Sequence, residues 1–311
     1  MGNAFYFDWE VSLIVWMQRS LGRFGMAVSD FFSTIGGETV SVVILLIVIF
    51  CWSKEAGKRC GLAILGATVW FPMVKNIILR PRPYMVHPEV EIHQIPEPDA
   101  DLMDVVQQGY SFPSGHGAMS LAIYVSLAME TRRKWAWILA VALPLLIGVS
   151  RFAVGAHYPT DVLAGWAVGL AAVGFKVLME QKVKNDTVRY LILLATALPG
   201  ILWCNSRDYF SALGAMAGVT AALPVEKKYI RFRDTRKIPA MILRVLGALA
   251  IYLALSTLLK LPFSKDFLDS GELGANMVRA LRYGVSLFVI LGLYPRCFPA
   301  IEKLFTRKAK A

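Results

Sequence analysis

The chain has 311 residues, 56% of them hydrophobic and only 18% charged, a balance too apolar for a soluble enzyme of that length. Its net charge of +11 is carried in short basic clusters between apolar runs and not along one face, so no nucleic-acid partner is expected. The four cysteines, Cys51, Cys60, Cys204 and Cys297, lie in or beside apolar segments without the close pairing of a zinc or redox motif, and read as membrane-buried packing residues.

The start, MGNAFYFDWE, lacks the basic n-region and small-residue cleavage site of a signal peptide, and has no Ser or Thr where a myristoylation motif needs one. From Asp8 to Phe32, Trp9, Leu13, Ile14, Trp16, Met17 and Leu21 alternate with Glu10, Gln18, Arg19 and Arg23, the pattern of an amphipathic helix lying in the membrane interface. A spanning helix needs about 20 mainly apolar residues, fewer where neighbours shield its ends. Nine stretches qualify, near 37–53, 60–79, 116–131, 135–153, 159–180, 187–204, 208–224, 239–260 and 277–296. The expected fold is all-α: a polytopic helical bundle of about nine spans, divided as an N-terminal interfacial helix (1–36), a core (37–185) and a C-terminal transmembrane extension (186–311).

Lys and Arg accumulate on the cytoplasmic side of short membrane loops. Here the clusters are Lys54, Lys58 and Arg59; Arg132, Arg133 and Lys134; Lys182, Lys184 and Arg189; Lys227 to Lys237; and the tail with Lys303, Arg307, Lys308 and Lys310. All fall on one side of a nine-span chain, which puts the C-terminus in the cytoplasm and the N-terminal helix outside. The opposite side holds the 84–113 connection, with Glu89, Glu91, Glu97, Asp99, Asp101 and Asp104 and no Lys or Arg. Its charge reads as a solvated connector, with a lid or headgroup selector as the other reading. Arg279 and Arg282 near the outer end of the last span read as helix anchors, with contact to a lipid phosphate as the alternative.

Three polar stretches end on that same outer side, where ionisable residues are costly unless paired or used. In VKNIILRPRPY, Lys75 and Arg82 share a face if the helix runs nearly to Arg80, before Pro81 and Pro83 stop it. Such a pair suits an anion with several oxygens, or equally ordinary snorkelling at a helix end. In YSFPSGHGAM, Ser114 stands where an N-cap belongs, leaving the amides of Gly115 and His116 open for an anion at the helix start. His116 could protonate an oxygen leaving that anion, and a capped helix with an interfacial histidine is the plain alternative. In SRFAVGAHYPTD, Pro159 suits the first helical position and Asp161 follows His157 by four. The carboxylate can hold the imidazole N–H so that the other nitrogen offers its lone pair, as in a catalytic triad. Arg151 adds a second anion clamp; a local charge pair at a helix start is the competing explanation.

Together and in this order the stretches resemble the signature of the type 2 phosphatidic acid phosphatase family: K-x6-R-P at Lys75, Arg82 and Pro83, P-S-G-H at Pro113 to His116, and S-R-x5-H-x3-D at Ser150, Arg151, His157 and Asp161. The resemblance covers roughly residues 37–180. It implies a six-helix phosphatase core, related to vanadium haloperoxidases, that works without metal or other cofactor. It also implies His157 as nucleophile, Asp161 as its orienting partner, His116 as acid then base, and Lys75, Arg82, Ser114, Gly115 and Arg151 as holders of the phosphate. Arg80 is the weaker candidate, because it misses the motif spacing. The expected substrate is a lipid phosphate or diphosphate in the cell membrane, of the undecaprenyl diphosphate, phosphatidic acid or phosphatidylglycerol phosphate type, cut on the extracytoplasmic face. Phosphotransfer to another lipid or glycan, a non-enzymatic lipid transporter or scaffold on the same fold, and vanadate-dependent halide oxidation are the rival functions. Packing or homodimerisation are the roles open to the extension.

Overall fold

Apolar residues in runs of about 20, punctuated by basic turns, leave the backbone only helix as a way to satisfy its own hydrogen bonds in lipid. The computed structural model describes residues 5–96 and 100–305, and these residues form helices joined by turns and loops, with no strand. Met1-Gly2-Asn3, Glu97 and Asp99 of the acidic connection, and Arg307, Lys308 and Lys310 of the tail lie outside the described residues.

Helix occupies each of the nine expected spans. These are α3 (Glu38–Ile47, extended by a π turn Val48–Trp52), α4 (Lys54–Ile78), α7 (Gly115–Thr131), α8 (Lys134–Ala153), α9 (Pro159–Lys182), α10 (Asp186–Ala197, with a 3-10 turn Leu198–Leu202), α11 (Arg207–Val225, with a π turn Glu226–Ile230), α12 (Ile238–Leu258) and α14 (Leu273–Phe288, running on through Val289–Leu293 and Tyr294–Cys297). Between and after them lie the short helices α5 (Pro83–Val86), α6 (Val105–Gln108), α13 (Lys265–Asp269) and α15 (Phe298–Leu304). Five elements, Lys54–Val86, Lys134–Ala153, Pro159–Lys182, Ile238–Leu258 and Leu273–Leu304, are long and apolar enough to cross a membrane by themselves.

The helices α7 and α11 are rich in small and polar residues because they sit inside the bundle, where neighbouring helices and not lipid are their surroundings, whereas α10 packs Tyr190, Leu193 and Ala197 inward and exposes Val188 and Leu191. A Cβ on Gly218 of α11 would come within 2.1 Å of the Gly284 carbonyl oxygen of α14, so the two backbones are in contact there. A Cβ on Gly165 of α9 would reach 2.4 Å from the carbonyl of Ser114 at the start of α7. Large apolar side chains face outward on the perimeter, among them Ile138 and Val141 on α8 and Leu163 and Leu170 on α9, as expected of lipid-facing helices.

The amphipathic N-terminal segment departs from expectation. It forms two helices, α1 (Asp8–Ser20) and α2 (Gly22–Ile35), because Gly22 adopts φ +56° and turns the chain. Glu10, expected on the polar face, is fully buried against the core. Of the cysteines, Cys60 and Cys204 are buried, whereas Cys297 is exposed on the turn after α14. Arg282 is no interfacial anchor: its guanidinium is buried in the bundle and donates to Ser256 Oγ of α12 at 3.3 Å.

The two ends of the bundle differ in charge chemistry. Four of the basic loops meet at one end, tied by Arg59 to Glu130 (2.5 Å), Lys176 to Glu130 (3.1 Å), Lys58 to Asp186 (3.7 Å) and Lys54 to Glu226 (2.9 Å). The three motif stretches meet at the other.

Candidate active site

At the motif end a cavity of about 640 Å³ is lined by Lys75, Arg82, Gly115, His116, Arg151 and His157. Residues from α4, α7, α8 and the turn before α9 thus converge, which their separation in sequence did not require.

Each is positioned by a local feature. Helix α4 ends at Ile78, earlier than expected, because Leu79 takes a left-handed conformation (φ 56°) with its N–H on the Lys75 carbonyl. The chain then turns, so Lys75 and Arg82 meet in the cavity through this break and not through a shared helical face. Ser114 caps α7, its Oγ accepting from Gly117 N–H at 3.4 Å, and the amides of Gly115 and His116 at the first two helical positions have no carbonyl one turn back to bond. Ser114 itself is fully buried and does not line the cavity; its work is to hold the helix start. Pro159 opens α9 after Tyr158, whose N–H donates to Asp161 Oδ2 at 2.8 Å.

His157 is 2% exposed. Its Nδ1 lies 3.5 Å from Asp161 Oδ2 and has no closer hydrogen-bond partner among the described residues. Its Nε2 faces Arg82 Nη1 at 3.4 Å, at the cavity wall. Burial, with the cations of Arg82, Arg151 and Lys75 nearby, holds this imidazole well below its usual pKa of 6.5. It is therefore neutral at physiological pH.

Arg82 does more than offer a charge. Its Nε and Nη2 donate to the carbonyls of Gln108 (3.1 and 2.9 Å) and its Nη1 to that of Ala156 (3.1 Å), so one guanidinium staples the loop before α7 to the loop carrying His157. Arg151 Nη1 donates to Gln94 Oε1 at 2.7 Å and to Ser33 Oγ. Lys75 Nζ lies 3.5 Å from Asp208 Oδ2.

None of these partners carries a signal in the sequence. Ser33 belongs to α2, Gln94 and Gln108 to the acidic connection, and Asp208 to the extension. The connection is accordingly no solvated linker: Gln94, Ile95, Gln107, Gln108 and Tyr110 form cavity wall, and it is pinned by His93 N–H to the Val154 carbonyl (3.0 Å) and Ser111 N–H to the Arg80 carbonyl (2.7 Å). The turn from Trp203 to Asp208 closes the opposite wall, held to α4 by Asn76 Nδ2 on Ser206 Oγ (2.8 Å) and Trp203 Nε1 on the Met73 carbonyl (3.1 Å).

Arg80, the weaker candidate by motif spacing, is fully buried behind His157. Its Nη1 donates to Asp161 Oδ1 at 2.6 Å and to Thr160 Oγ1 at 2.8 Å, and its Nη2 to Glu10 Oε2 at 2.8 Å. Glu10 Oε1 accepts from the Thr160 N–H (3.0 Å) and hydroxyl (2.6 Å), and the guanidinium lies 3.7 Å over the Tyr158 ring. A Pro-flanked arginine and a lone glutamate on an amphipathic helix are the only traces of this network in the sequence.

Comparison with known proteins agrees with the motif reading. Residues 57–185 match the PAP2 superfamily, and residues 210–307 match the PAP2 superfamily phosphatase transmembrane extension. The chain is 33% identical over 141 residues to an undecaprenyl-diphosphatase of Sulfolobus acidocaldarius, covering 45% of this chain and 63% of that protein. It is 30% identical over 90 residues to phosphatidylglycerophosphatase B of Bacillus subtilis, 26% of this chain and 44% of that one. It is 30% identical over 135 residues to a lipid A 4'-phosphatase of Bacteroides thetaiotaomicron, 42% and 56% respectively. The chain thus spans less than two thirds of each of these relatives, and no solved structure matches it. With both matches and the convergent motifs on one cavity, the chain is a multi-pass membrane protein that belongs to the PAP2 superfamily.

Proposed function

We propose that the protein is an integral-membrane phosphatase that hydrolyses a lipid phosphate or diphosphate through a phosphohistidine on His157. The observation that carries this is the pairing of a neutral, buried imidazole, backed at 3.5 Å by Asp161, with a cavity whose other walls are Lys75, Arg82, Arg151 and the open start of α7.

In the first step Nε2 of His157 bonds to phosphorus, the bond from phosphorus to the lipid oxygen breaks, and that oxygen takes a proton from the imidazolium of His116, which forms once the phosphate's negative charges offset Arg82, Arg151 and Lys75. Asp161 holds Nδ1–H and balances the charge that develops on the ring. In the second, water gives a proton to His116 and attacks the phosphohistidine, freeing inorganic phosphate and restoring His157. Spontaneous phosphate-monoester hydrolysis requires up to about 10²¹-fold acceleration, and most of it falls to the charges and amides around the nonbridging oxygens. Arg80 and Glu10 act one layer further out as positioning residues that fix Asp161.

The site draws on all three parts of the expected division into 1–36, 37–185 and 186–311: Glu10 and Ser33 come from the first part and Asp208 from the third. The charge bias of the loops supports a site on the extracytoplasmic face with the C-terminus in the cytoplasm. The relatives' names point to undecaprenyl diphosphate, phosphatidylglycerol phosphate and lipid A as the substrates to try first. Phosphate release by purified protein from these lipids and from phosphatidic acid tests the proposal. Equal release by wild type and His157→Ala would refute it, and product analysis with an added lipid acceptor separates hydrolysis from phosphotransfer.

A further inference from the structure

At the end of the bundle away from the candidate active site lies a second cavity, of about 630 Å³. Helix α11 connects the two: Asp208 in its first turn faces the first cavity, and after 19 residues, about 28 Å of helix, and the π turn Glu226–Ile230, the chain enters the segment 231–237 that forms the second. The turn after α14 and helix α15 close the other side. Six cations line it: Arg231, Arg233, Arg236, Lys237, Arg244 and Arg296.

The acids do not balance them. Glu302 is taken by Arg244 (2.9 Å) and Lys237 (3.5 Å), and Asp234 Oδ1 accepts the Lys54 N–H at 3.0 Å. Among the described residues Arg231, Arg233, Arg236 and Arg296 have no ion-pair partner. Arg244 is 2% exposed, lies 4.2 Å over the Phe298 ring, and leaves its Nε without a partner. A buried N–H donor left unmade, as on Arg244, is costly, and the exposed Arg231, Arg233, Arg236 and Arg296 ring the same hollow without an acid to pair with, so the arrangement suits an anion with several oxygens.

The surroundings say which kind. The cavity also presents Phe232, Pro295 and Phe298, and from its mouth the outward face of α12 exposes Ile238, Ile242 and Leu246 at intervals of four residues, one apolar stripe along the helix. A cationic hollow continued by an apolar stripe fits a molecule with an anionic head and a hydrocarbon chain. We propose that this cavity binds the phosphate headgroup of an anionic phospholipid, its chain lying along the α12 stripe, as a site separate from that of the substrate. It is independent of the catalytic reading, and it gives the extension a lipid ligand at the face opposite the reaction.

The test uses the full-length protein in neutral detergent, with dioleoylphosphatidylglycerol, dioleoylphosphatidylcholine and inorganic phosphate as separate probes. The readouts are bound lipid by native mass spectrometry and the shift in thermal unfolding. Wild type should retain phosphatidylglycerol in preference to phosphatidylcholine. The triple variant Arg233→Gln/Arg236→Gln/Arg296→Gln should lose affinity for it about 100-fold, at about 1 kcal/mol for each basic residue near an anionic lipid. Arg244 is left unchanged because it holds the fold together. Equal retention by wild type and variant overturns the proposal, and so does protection by inorganic phosphate with no preference for the anionic lipid, which would make the ligand a free anion. Should the triple variant not fold, a photoreactive phosphatidylglycerol on wild type decides: crosslinks to the 231–246 and 294–302 peptides support the site, and crosslinks only elsewhere overturn it.

Discussion

Replacing Glu10 by Gln tests whether the N-terminal helix takes part in the chemistry. Glu10 accepts four hydrogen bonds, from Thr160 N–H and Oγ1 on one oxygen and from Arg80 Nη2 and Phe7 N–H on the other. Gln keeps the oxygen that serves Thr160 but turns an NH2 toward two donors, so two bonds to a charged acceptor are lost, each worth about 1.5–3 kcal/mol. Breaking one side of a buried ion pair costs about 3–5 kcal/mol in all, and the guanidinium must shift to recover part of it. Arg80 is bonded to Asp161 at 2.6 Å, so that shift moves the carboxylate behind His157. We expect kcat to fall about 10- to 100-fold, equivalent to about 1.4–2.8 kcal/mol, with KM changed less than twofold because Glu10 does not line the cavity. Steady-state phosphate release gives both constants. The double variant Glu10→Gln/Arg80→Met should be less stable still and remain slow, since it also strips the buried Asp161 carboxylate of its 2.6 Å partner. A Glu10→Gln enzyme with wild-type kcat, or one whose loss lies in KM, refutes the positioning role.

His157→Gln should abolish turnover while leaving binding of a lipid phosphate measurable. Below about pH 6.5 the unfolded chain protonates His157 and the folded protein does not, so the unfolded state binds more protons and stability falls as the pH drops toward the depressed folded pKa. Stability is full above about pH 6.5, the unfolded value, and thermal unfolding at pH 7.5 and 5.5 should show a smaller acid loss for His157→Gln than for wild type. Asp208→Asn frees Lys75 from its partner at 3.5 Å; KM should fall about two- to fivefold, the scale of a pair whose carboxylate is half exposed, with kcat little changed, and a rise in KM would show that Asp208 binds substrate instead. Gly218→Leu should prevent α11 and α14 from meeting, because the Gly284 carbonyl already occupies the space of a Cβ; monodispersity on size-exclusion chromatography reports it.

Much of the protein is written in short-range pattern. Apolar length, basic punctuation and capping residues such as Ser114 and Pro159 act over one or two helical turns. The nine helical segments, the sidedness of the loops and the motif residues Lys75, Arg82, His116, Arg151, His157 and Asp161 are therefore legible in the order of the amino acids alone. The family resemblance rests on those same local spacings. What local pattern cannot carry is which distant residue completes each site residue. Glu10 meets Arg80 across 70 positions, Ser33 meets Arg151 across 118, and Asp208 of the extension meets Lys75. Those contacts exist because small-residue faces let α7, α9, α11 and α14 pack closely and because the break at Gly22 folds α1 against the core. Composition and local spacing alone make this a membrane helical protein with the PAP2 motifs; only packing decides that the N-terminal helix, the acidic connection and the extension are walls and supports of the same cavity, since burial of charge is favourable only where the folded chain brings a partner.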